Sequence, residues 1–451
     1  MIKQDKQNAR HTNSVSSNNR TPNIDIDIAL EIQNIGYDGA GCGYYNNTPV
    51  FVKKVLPGEK VSARLIKKNS KYSVARLIHV LSPSDKRIEP ICPHFAWCCG
   101  CDYMHTDYTS EISIKKEIFA REWRKIEKEY NISLPGIDVV TSHPVHYRNK
   151  MTFDISDGKL CMHDVFLDLK PIDSCMLVDN KILNAINKIN NFNLPKTASR
   201  VTIHSGIDGV LISIQTNASK QSNTVSSKTS KLNSNTDDFI NKLKTIYLPL
   251  LDTLNKHDSL VVDDIVLVGN DFIEKEMCGI RYCHKPMAFC QINDDIASKL
   301  YHYVNSEVGG NIVLNAYSGA GLLSAILAKS AKNVYGIELN KSAHLVAEKL
   351  KEDYHINNLT NICGKCEEQI ETLHIVDTIV LDPPRAGCDE KFVSAIAKNN
   401  IQKIVYISCS APTMIRDLVR LKNDYVIESV KLFDMFPRTQ NIESVVILKR
   451  K

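Results

Sequence analysis

The chain has 451 residues, which is longer than an ordinary single domain and predicts two or three. Hydrophobic residues make up 43% of it, enough for packed cores, and no apolar run reaches the ~18 residues of a membrane span. The polar N-terminus lacks the apolar segment of a secretory signal, so we expect a cytoplasmic protein. A net charge of +5 is only mildly basic, so nucleic-acid binding must come from local patches.

The first part of the chain predicts a tail and a barrel. Residues 1–23 are rich in Asn, Ser, Lys and Arg without periodicity, which is typical of a disordered tail. Residues 24–84 alternate in polarity between closely spaced turn signals and predict a small, OB-like β-barrel. From Lys53 to Arg76 there are eight Lys or Arg and one acid, Glu59. A solvated barrel face explains this, and so does a stripe that binds an RNA backbone.

A compact group of cysteines follows the barrel. Cys92, Cys98 and Cys101 have the spacing C-x5-C-x2-C. Metal centres built on thiolates prefer four ligands, and Cys161 and Cys175 are the candidates before the next long gap. Fourteen unevenly spaced cysteines in a chain without a signal indicate metal ligation rather than a disulfide framework. Zinc and an iron–sulfur cluster both remain open, because spacing alone does not separate them.

The remaining chain predicts two further domains. Residues 85–287 mix strands and helices and predict a central α+β domain, with one amphipathic helix at 106–130. Residues 218–238 within it are rich in Ser, Thr, Asn and Lys and predict a flexible insertion. From 288 to 451 strands alternate with helices, which predicts a doubly wound α/β sheet.

A glycine turn opens this last domain. The turn Ser318–Gly321 follows a strand and lets the backbone approach a ligand, while Glu338 ends the next strand where ribose hydroxyls would be met. A dinucleotide site is the rival interpretation. The turn is G-x-G without a third glycine, which is weak support for that rival.

Three stretches near the C-terminus carry further chemistry: LDPPRAG at 381–387, SCSAPTMIRDL at 408–418 and MFPRTQNIE at 435–443. Cys409 lies at the end of a predicted strand and just before a helix. Open α/β sheets hold ligands at that place, and the helix dipole favours a thiolate there. A buried, inert cysteine is the alternative interpretation.

Together these motifs resemble the RNA uracil-5-methyltransferases that use S-adenosylmethionine, which have a Rossmann-like class I methyltransferase domain. The resemblance implies that Cys409 is the nucleophile and Glu443 the proton acceptor. It also implies four cofactor contacts, which are Gln291, Tyr317, Glu338 and Asp382.

The N-terminal half resembles the bacterial 23S rRNA branch of this family. The barrel is similar to the TRAM module of RNA-modifying enzymes, and the family's cysteines hold a [4Fe-4S] cluster. Its fourth ligand follows a stretch like PIDSCMLVD, so the resemblance implies the ligands Cys92, Cys98, Cys101 and Cys175. The chain departs from the family at Cys99, usually glycine, and at Arg438 and Asn441, where the last motif usually carries histidine.

The expected activity is therefore methylation of carbon 5 of a uridine in 23S rRNA by a monomer. The reaction would pass through a covalent adduct between Cys409 and carbon 6, on a base unstacked from its strand. The same reaction on tRNA is one alternative. A non-catalytic RNA-binding iron–sulfur protein is another, and the presence of both Cys409 and Glu443 argues against it.

Overall fold

The structure is a computed structural model, and it describes residues 26–133, 136–217, 235–286, 288–309, 311–373 and 376–451. The predicted tail, 1–23, and residues 218–234 of the predicted insertion lie outside these ranges. The chain divides into two compact units, 1–87 and 88–451. The boundary predicted between 287 and 288 stays a prediction.

The first unit is built on one six-stranded sheet. Its strands are β1 (Asp27–Glu31), β2 (Asn34–Ile35), β3 (Gly41–Tyr45), β4 (Thr48–Val52), β5 (Lys60–Lys68) and β6 (Ser73–Ser82). They lie in the order β1-β5-β6-β4-β3-β2. Alternate side chains such as Ile28, Leu30 and Val61 point into one core, which is the period of two expected for half-buried strands. A Cβ at Gly43 would lie 2.4 Å from the Glu31 carbonyl oxygen, so β3 needs glycine where it crosses β1.

The one acidic residue of the basic segment from Lys53 to Arg76 is buried. The Glu59 side chain is fully buried and accepts hydrogen bonds from the Arg87 guanidinium and the Leu56 amide, each at 2.8 Å. It therefore does not neutralise the surface of the stripe. The exposed cations there include Lys60, Lys67, Lys68 and Lys71.

The second unit begins with a long helix and a mixed sheet. Its first elements are α1 (Tyr108–Tyr130), β7 (Asp138–Val140), β8 (Lys150–Ser156), β9 (Lys159–His163), β10 (Leu169–Pro171), α2 (Asn180–Phe192), β11 (Ala198–Ser205), β12 (Val210–Thr216), α3 (Asn235–Leu251), β13 (Ser259–Val262) and β14 (Ile265–Val268). The sheet has the order β10-β9-β8-β11-β12-β13-β14. Because α3 begins at Asn235, the last residues of the predicted insertion are helical.

The elements after this sheet form the predicted doubly wound domain. They are β15 (Ile273–Met277), β16 (Ile280–His284), α4 (Asp294–Ser306), β17 (Ile312–Ala316), α5 (Leu322–Leu327), β18 (Asn333–Glu338), α6 (Lys341–Asp353), β19 (Leu359–Cys363), α7 (Cys366–Gln369), the 3-10 turn Ile370–Thr372, β20 (Thr378–Leu381), α8 (Glu390–Lys398), β21 (Lys403–Ser408), α9 (Ala411–Leu421), β22 (Tyr425–Phe433) and β23 (Glu443–Arg450). β15 and β16 pair as a separate hairpin.

The main sheet has the order β19-β18-β17-β20-β21-β23-β22-β7. β23 runs antiparallel to both of its neighbours, and the other pairs are parallel. Leu314 and Tyr406 pack into a core on one face, whereas Val313 and Val405 pack into a core on the other. Helices cover both faces, so the predicted doubly wound α/β sheet is confirmed.

Two elements from the start of the second unit pack with this sheet. β7 adds to the edge beside β22, and α1 packs against α9. Phe119, Trp123 and Ile126 of α1 are buried in the same core as Tyr406, and the Tyr130 hydroxyl donates to the Leu418 carbonyl at 2.6 Å. The amphipathic helix predicted at 106–130 thus forms, and its apolar face covers the main sheet.

Candidate active site and cysteine centre

Four parallel strands of the main sheet, β17, β18, β20 and β21, end at one edge. Residues that end or follow these strands become neighbours, because the carboxyl ends of parallel strands share an edge. They are the predicted cofactor residues Tyr317, Glu338 and Asp382 and the predicted nucleophile Cys409.

The glycine turn after β17 has a backbone that few residues tolerate. Tyr317, Gly319 and Gly321 have φ angles of 62°, 56° and 81°, in the left-handed region. A Cβ at Gly321 would lie 2.5 Å from the Ala347 Cβ of α6, so glycine also allows close helix packing there. The turn therefore needs glycine for its conformation and for its packing.

Polar atoms beside this turn lack partners. The Glu338 carboxylate accepts a hydrogen bond from the Gly319 amide at 2.9 Å and so braces the turn. Nearby, Ser318 Oγ and the side-chain amide of Asn361 are buried without a hydrogen-bond partner, and both approach Gly336. Buried polar atoms are costly unless they are paired, so these atoms favour a polar ligand at the turn.

A tyrosine that sequence reasoning missed joins the predicted residues. The Tyr301 hydroxyl of α4 hydrogen bonds with Gln291 and lies close to the carboxyls of Asp382 and Glu443. Asn293 caps the same helix by accepting from an amide of its first turn, which fixes the segment that carries Gln291. In the sequence Tyr301 lies on the apolar face of a helix, which signals a core position and not a site.

The strand register brings the predicted nucleophile and base together. β21 and β23 are antiparallel, and their last pair at this end is Ser408 with Ser444. Cys409 follows β21 directly, and Glu443 is the first residue of β23, so this end of the register brings the two close enough for the Glu443 charge to act on the thiol. Glu443 is 7% exposed, whereas Cys409 is half-buried.

The helix after Cys409 starts as the sequence predicts. Pro412 occupies the first turn of α9, where a missing amide costs nothing. The Thr413 hydroxyl donates to the Arg385 carbonyl at 3.0 Å, which ties this helix to the loop after β20. The contact places the Arg385 guanidinium within hydrogen-bond reach of Cys409.

Burial dominates the electrostatics of this site. It raises the pKa of Glu443 to about 8, where Asp382 adds repulsion and Arg385 opposes it. Burial also raises the pKa of Asp382 to about 6. We expected the helix dipole to favour a Cys409 thiolate, but burial and the Glu443 charge raise the pKa of Cys409, and Arg385 opposes them only in part. The resting site therefore holds its protons more tightly than free side chains do.

The four predicted cluster cysteines converge in the second unit. Cys92, Cys98, Cys101 and Cys175 line one cavity of about 430 Å³. None of the fourteen cysteines, all of which the structure describes, is in a disulfide. Burial, followed by the thiols of Cys175, Cys98 and Cys92, raises the pKa of Cys101 well above its usual value. A cation bound among these sulfurs would relieve their mutual repulsion.

The two remaining cysteines of this region lie differently. Cys161 Sγ is 3.5 Å from the Lys159 carbonyl oxygen and does not line the cavity, and Cys99 is exposed. His94 and Asp173 connect the two ligand segments, with Nε2 and Oδ1 2.7 Å apart.

A clasp of hydrogen bonds joins the cysteine centre to the segment before Glu443. The amides of Asp102 and Tyr103 donate to the Arg438 carbonyl at 2.8 and 3.1 Å. In return, the Gln440 amide donates to the Asp102 carboxylate at 3.1 Å. Because Asp102 follows Cys101 directly, the position of the centre is coupled to that of the loop.

Arg438 has a structural role that explains its departure from the family pattern. The side chain is 7% exposed, pairs with Glu111 at 3.4 Å and donates to the Thr106 carbonyl at 2.9 Å. Glu111 in turn pairs with Lys115, which pairs with Asp434 at 2.7 Å. Arg438 is thus a member of a buried ion network.

Comparison with known proteins identifies the family. The family model described as tRNA (Uracil-5-)-methyltransferase matches residues 116–451, and the TRAM domain model matches residues 27–78. The chain belongs to the tRNA (uracil-5-)-methyltransferase family. This family member is 32% identical to an uncharacterized RNA methyltransferase of Clostridium tetani, over 94% of this chain and 97% of the relative. It is 30% identical to one from Listeria monocytogenes, over 93% of this chain and 97% of that one.

A solved structure shows the same fold. The tRNA (uracil-54, C5)-methyltransferase of Pyrococcus abyssi, in complex with S-adenosyl-L-homocysteine, matches this methyltransferase with a TM-score of 0.70 and 22% identity. The match covers 93% of this chain and 100% of that one. The predicted class I methyltransferase fold with an N-terminal TRAM domain is therefore confirmed. The chain is an RNA methyltransferase.

Among the helices that the structure describes, none is both long enough and apolar enough to cross a bilayer.

We expect the multiple-turnover rate of this methyltransferase to rise with pH through about 8. If Glu443 is the proton acceptor, as the resemblance implies, it works only as the carboxylate; burial raises the Glu443 pKa to about 8, so this form is lost as pH falls. If Cys409 is the nucleophile, loss of its thiolate acts in the same direction. Rates measured from about pH 6 to about pH 9 with saturating substrates should then fall by at least about tenfold per unit on the acid side. A flat profile would exclude titration of these groups from turnover.

Proposed function

We propose that this protein, a cytoplasmic monomer, methylates carbon 5 of a uridine in 23S rRNA through a covalent enzyme–RNA adduct. The observation that carries the proposal is that the register of β21 and β23 brings Cys409, which follows β21, near Glu443, which begins β23. In the proposal Cys409 is the nucleophile and Glu443 the base, at the edge that also carries Tyr317, Glu338 and Asp382.

The chemistry requires this pair because carbon 5 of uracil is a weak nucleophile. The Cys409 thiolate adds to carbon 6, and the electron pair of the ring double bond moves to make carbon 5 nucleophilic. Carbon 5 then takes the methyl group, and the carbon–sulfur bond of the donor breaks. Glu443 removes the proton from carbon 5, and the bond between Cys409 and carbon 6 breaks as the ring double bond returns. The enzyme thiolate is regenerated, so the cycle balances.

Three further side chains support these steps. Arg385 faces both Cys409 and Glu443, so its positive charge stabilises the thiolate and the carboxylate. Asp382 and Tyr301 lie beside Glu443 and would contact the uracil ring or the donor.

S-adenosylmethionine supplies an electrophilic methyl group when it is bound. Gln291, Tyr317, Glu338 and Asp382 would hold it at the edge of the sheet. The unpartnered polar atoms beside the glycine turn fit such a ligand, because ribose and amino acid groups would satisfy them.

For the cysteine centre we propose a [4Fe-4S] cluster held by Cys92, Cys98, Cys101 and Cys175. All four donors are thiols, which suits iron–sulfur clusters. Zinc is the alternative, because thiolates bind it as well. Methyl transfer itself requires no electron, so we propose a structural role for the cluster and not a redox one. The cluster would fix the position of the clasp at Asp102 and of a surface that docks RNA.

We expect Cys175→Ser to lose iron and RNA affinity together. Serine is a poor ligand for iron in such a cluster, and a lost cluster frees the segments that carry the other cysteines. Protein purified without oxygen should be brown and contain about four irons per chain, whereas the variant should contain little. Iron analysis and an RNA-binding assay measure the two effects.

Cys99→Gly and Cys161→Ser are the matched controls, and both should keep the colour. Zinc in place of iron in the unmodified protein would exclude the cluster. Iron retained by Cys175→Ser and lost by Cys161→Ser would instead exclude only the choice of fourth ligand.

The choice of 23S rRNA rests on the combination of TRAM domain and cysteine centre in one chain. The exposed lysines of the first unit add a surface suited to an RNA backbone. tRNA is the second candidate, because the Pyrococcus abyssi protein of the same fold is a tRNA enzyme. Mapping of 5-methyluridine in rRNA and tRNA from a strain lacking the gene decides between them. Loss of a modified uridine from 23S rRNA supports the proposal, and loss from tRNA alone overturns it.

A further inference from the structure

A second group of metal-ligating side chains lies apart from the four cluster cysteines. His204 at the end of β11, His284 at the end of β16 and Cys290 before α4 each offer one ligand atom, and these atoms all lie within 4.8 Å of one another. The two imidazole rings are buried, and Cys290 is half-buried. His204 Nε2 is 3.7 Å from Cys290 Sγ, and the ring centroids are 4.8 Å apart.

The contacts of the two histidines show which ring nitrogen each would offer to an ion. His284 Nε2 lies 2.8 Å from the Phe289 carbonyl oxygen, so this nitrogen carries the proton and donates. Its Nδ1 then has the lone pair, and this atom is buried without a hydrogen-bond partner. A ring that donates through one nitrogen to a carbonyl and offers the other is the arrangement of histidines that bind metal. His204 faces Cys290 Sγ with Nε2, so Nε2 is its ligand atom.

Two lysines, Lys150 and Lys275, lie near these side chains. Burial lowers the pKa of His204 to about 2 and that of His284 to about 4, and it raises the pKa of Cys290, which the two lysines oppose only in part. A bound ion would therefore displace the proton of the Cys290 thiol. The ammonium groups of the two lysines already bind elsewhere, Lys150 to the Ala288 carbonyl at 2.7 Å and Lys275 to Asp294 at 2.8 Å.

We propose that His204, His284 and Cys290 form a zinc site. Two imidazoles and one thiolate are ligands that zinc prefers, and a water would complete four-coordination. Cys290 also lines the cavity of about 430 Å³ that the four cluster cysteines share, so the two metal sites would be neighbours. Because Cys290 precedes Gln291, a bound ion would fasten the cofactor-side segment to β11 and β16.

Zinc binding by the full chain tests this site. Protein that carries its iron is dialysed against zinc, and zinc and iron are measured in the same sample. We expect about one zinc per chain. Cys290→Ser and His284→Gln should each lose most of this zinc while keeping their iron. Cys283→Ser, which changes an exposed thiol beside His284, is the matched control and should keep both metals.

Thermal melting with and without zinc separates loss of zinc binding from loss of folding. Zinc should raise the melting temperature of the unmodified chain and of Cys283→Ser, but not that of Cys290→Ser, because an ion that binds only the folded state stabilises it. Equal zinc in Cys290→Ser, His284→Gln and the unmodified chain would overturn the proposal, since the metal would then lie elsewhere. Absence of bound zinc from the unmodified chain would overturn it as well, and His204 and His284 would then have only a packing role.

Discussion

Cys409→Ala is expected to abolish methyl transfer to RNA, by about 10⁴-fold or more, because the variant cannot make the covalent bond that activates carbon 5. Binding of S-adenosylmethionine should change little. The thiol lies at the end of β21 and near Glu443, whereas the glycine turn that would hold the donor follows β17. Methyl transfer measured with labelled donor, together with calorimetric donor binding, separates the two functions.

Cys283→Ala is the matched control for this change, because it removes an exposed thiol from β16, away from the strand ends of the active site. It should retain full activity. If Cys409→Ala loses activity and donor affinity equally, then Cys409 supports the structure of the site and does not attack the base.

Glu443→Gln should give a different defect from Cys409→Ala. Attack and methylation need no carboxylate, but the proton on carbon 5 cannot leave, so the methylated adduct accumulates. We expect a covalent complex of enzyme and RNA that survives a denaturing gel, with multiple turnover reduced by at least about 10²-fold. Labelled methyl groups should migrate with the complex.

The same variant reports on the buried charge. The Glu443 pKa rises from an ordinary value of 4.5 to about 8 on folding, so ionisation opposes folding increasingly between these pH values. Glu443→Gln removes this unfavourable ionisation and should therefore raise the melting temperature more at about pH 8 than at about pH 5.

For the catalytic role, turnover of Glu443→Gln near the unmodified rate, without a trapped complex, would remove Glu443 from the mechanism.

Local patterns in the sequence predict much of this site. A strand that ends in small residues, followed by proline, places Cys409 before a helix, and the structure has both elements there. The alternation of strands and helices predicts that Tyr317, Glu338 and Asp382 share an edge. These predictions succeed because periodicity and proline geometry act over a few residues.

Contacts between distant residues could not be predicted in this way. The register that brings Cys409 near Glu443 depends on the antiparallel insertion of β23, which no local pattern encodes. The clasp from Asp102 to Gln440 and the burial of Arg438 join residues more than 300 positions apart. The effect of burial on the Cys409 pKa depends on packing between distant residues as well.

Trapping with 5-fluorouridine RNA tests the central claim most directly. Fluorine at carbon 5 cannot leave as a proton does, so the reaction should stop after methylation with the base bound to the enzyme. The account predicts a denaturation-resistant complex between the protein and a 23S rRNA fragment that contains 5-fluorouridine. The complex should require S-adenosylmethionine, and peptide mass spectrometry should place the base on Cys409. Methylation of ordinary uridine RNA by a protein that forms no such complex, or a complex joined through another residue, would contradict the account.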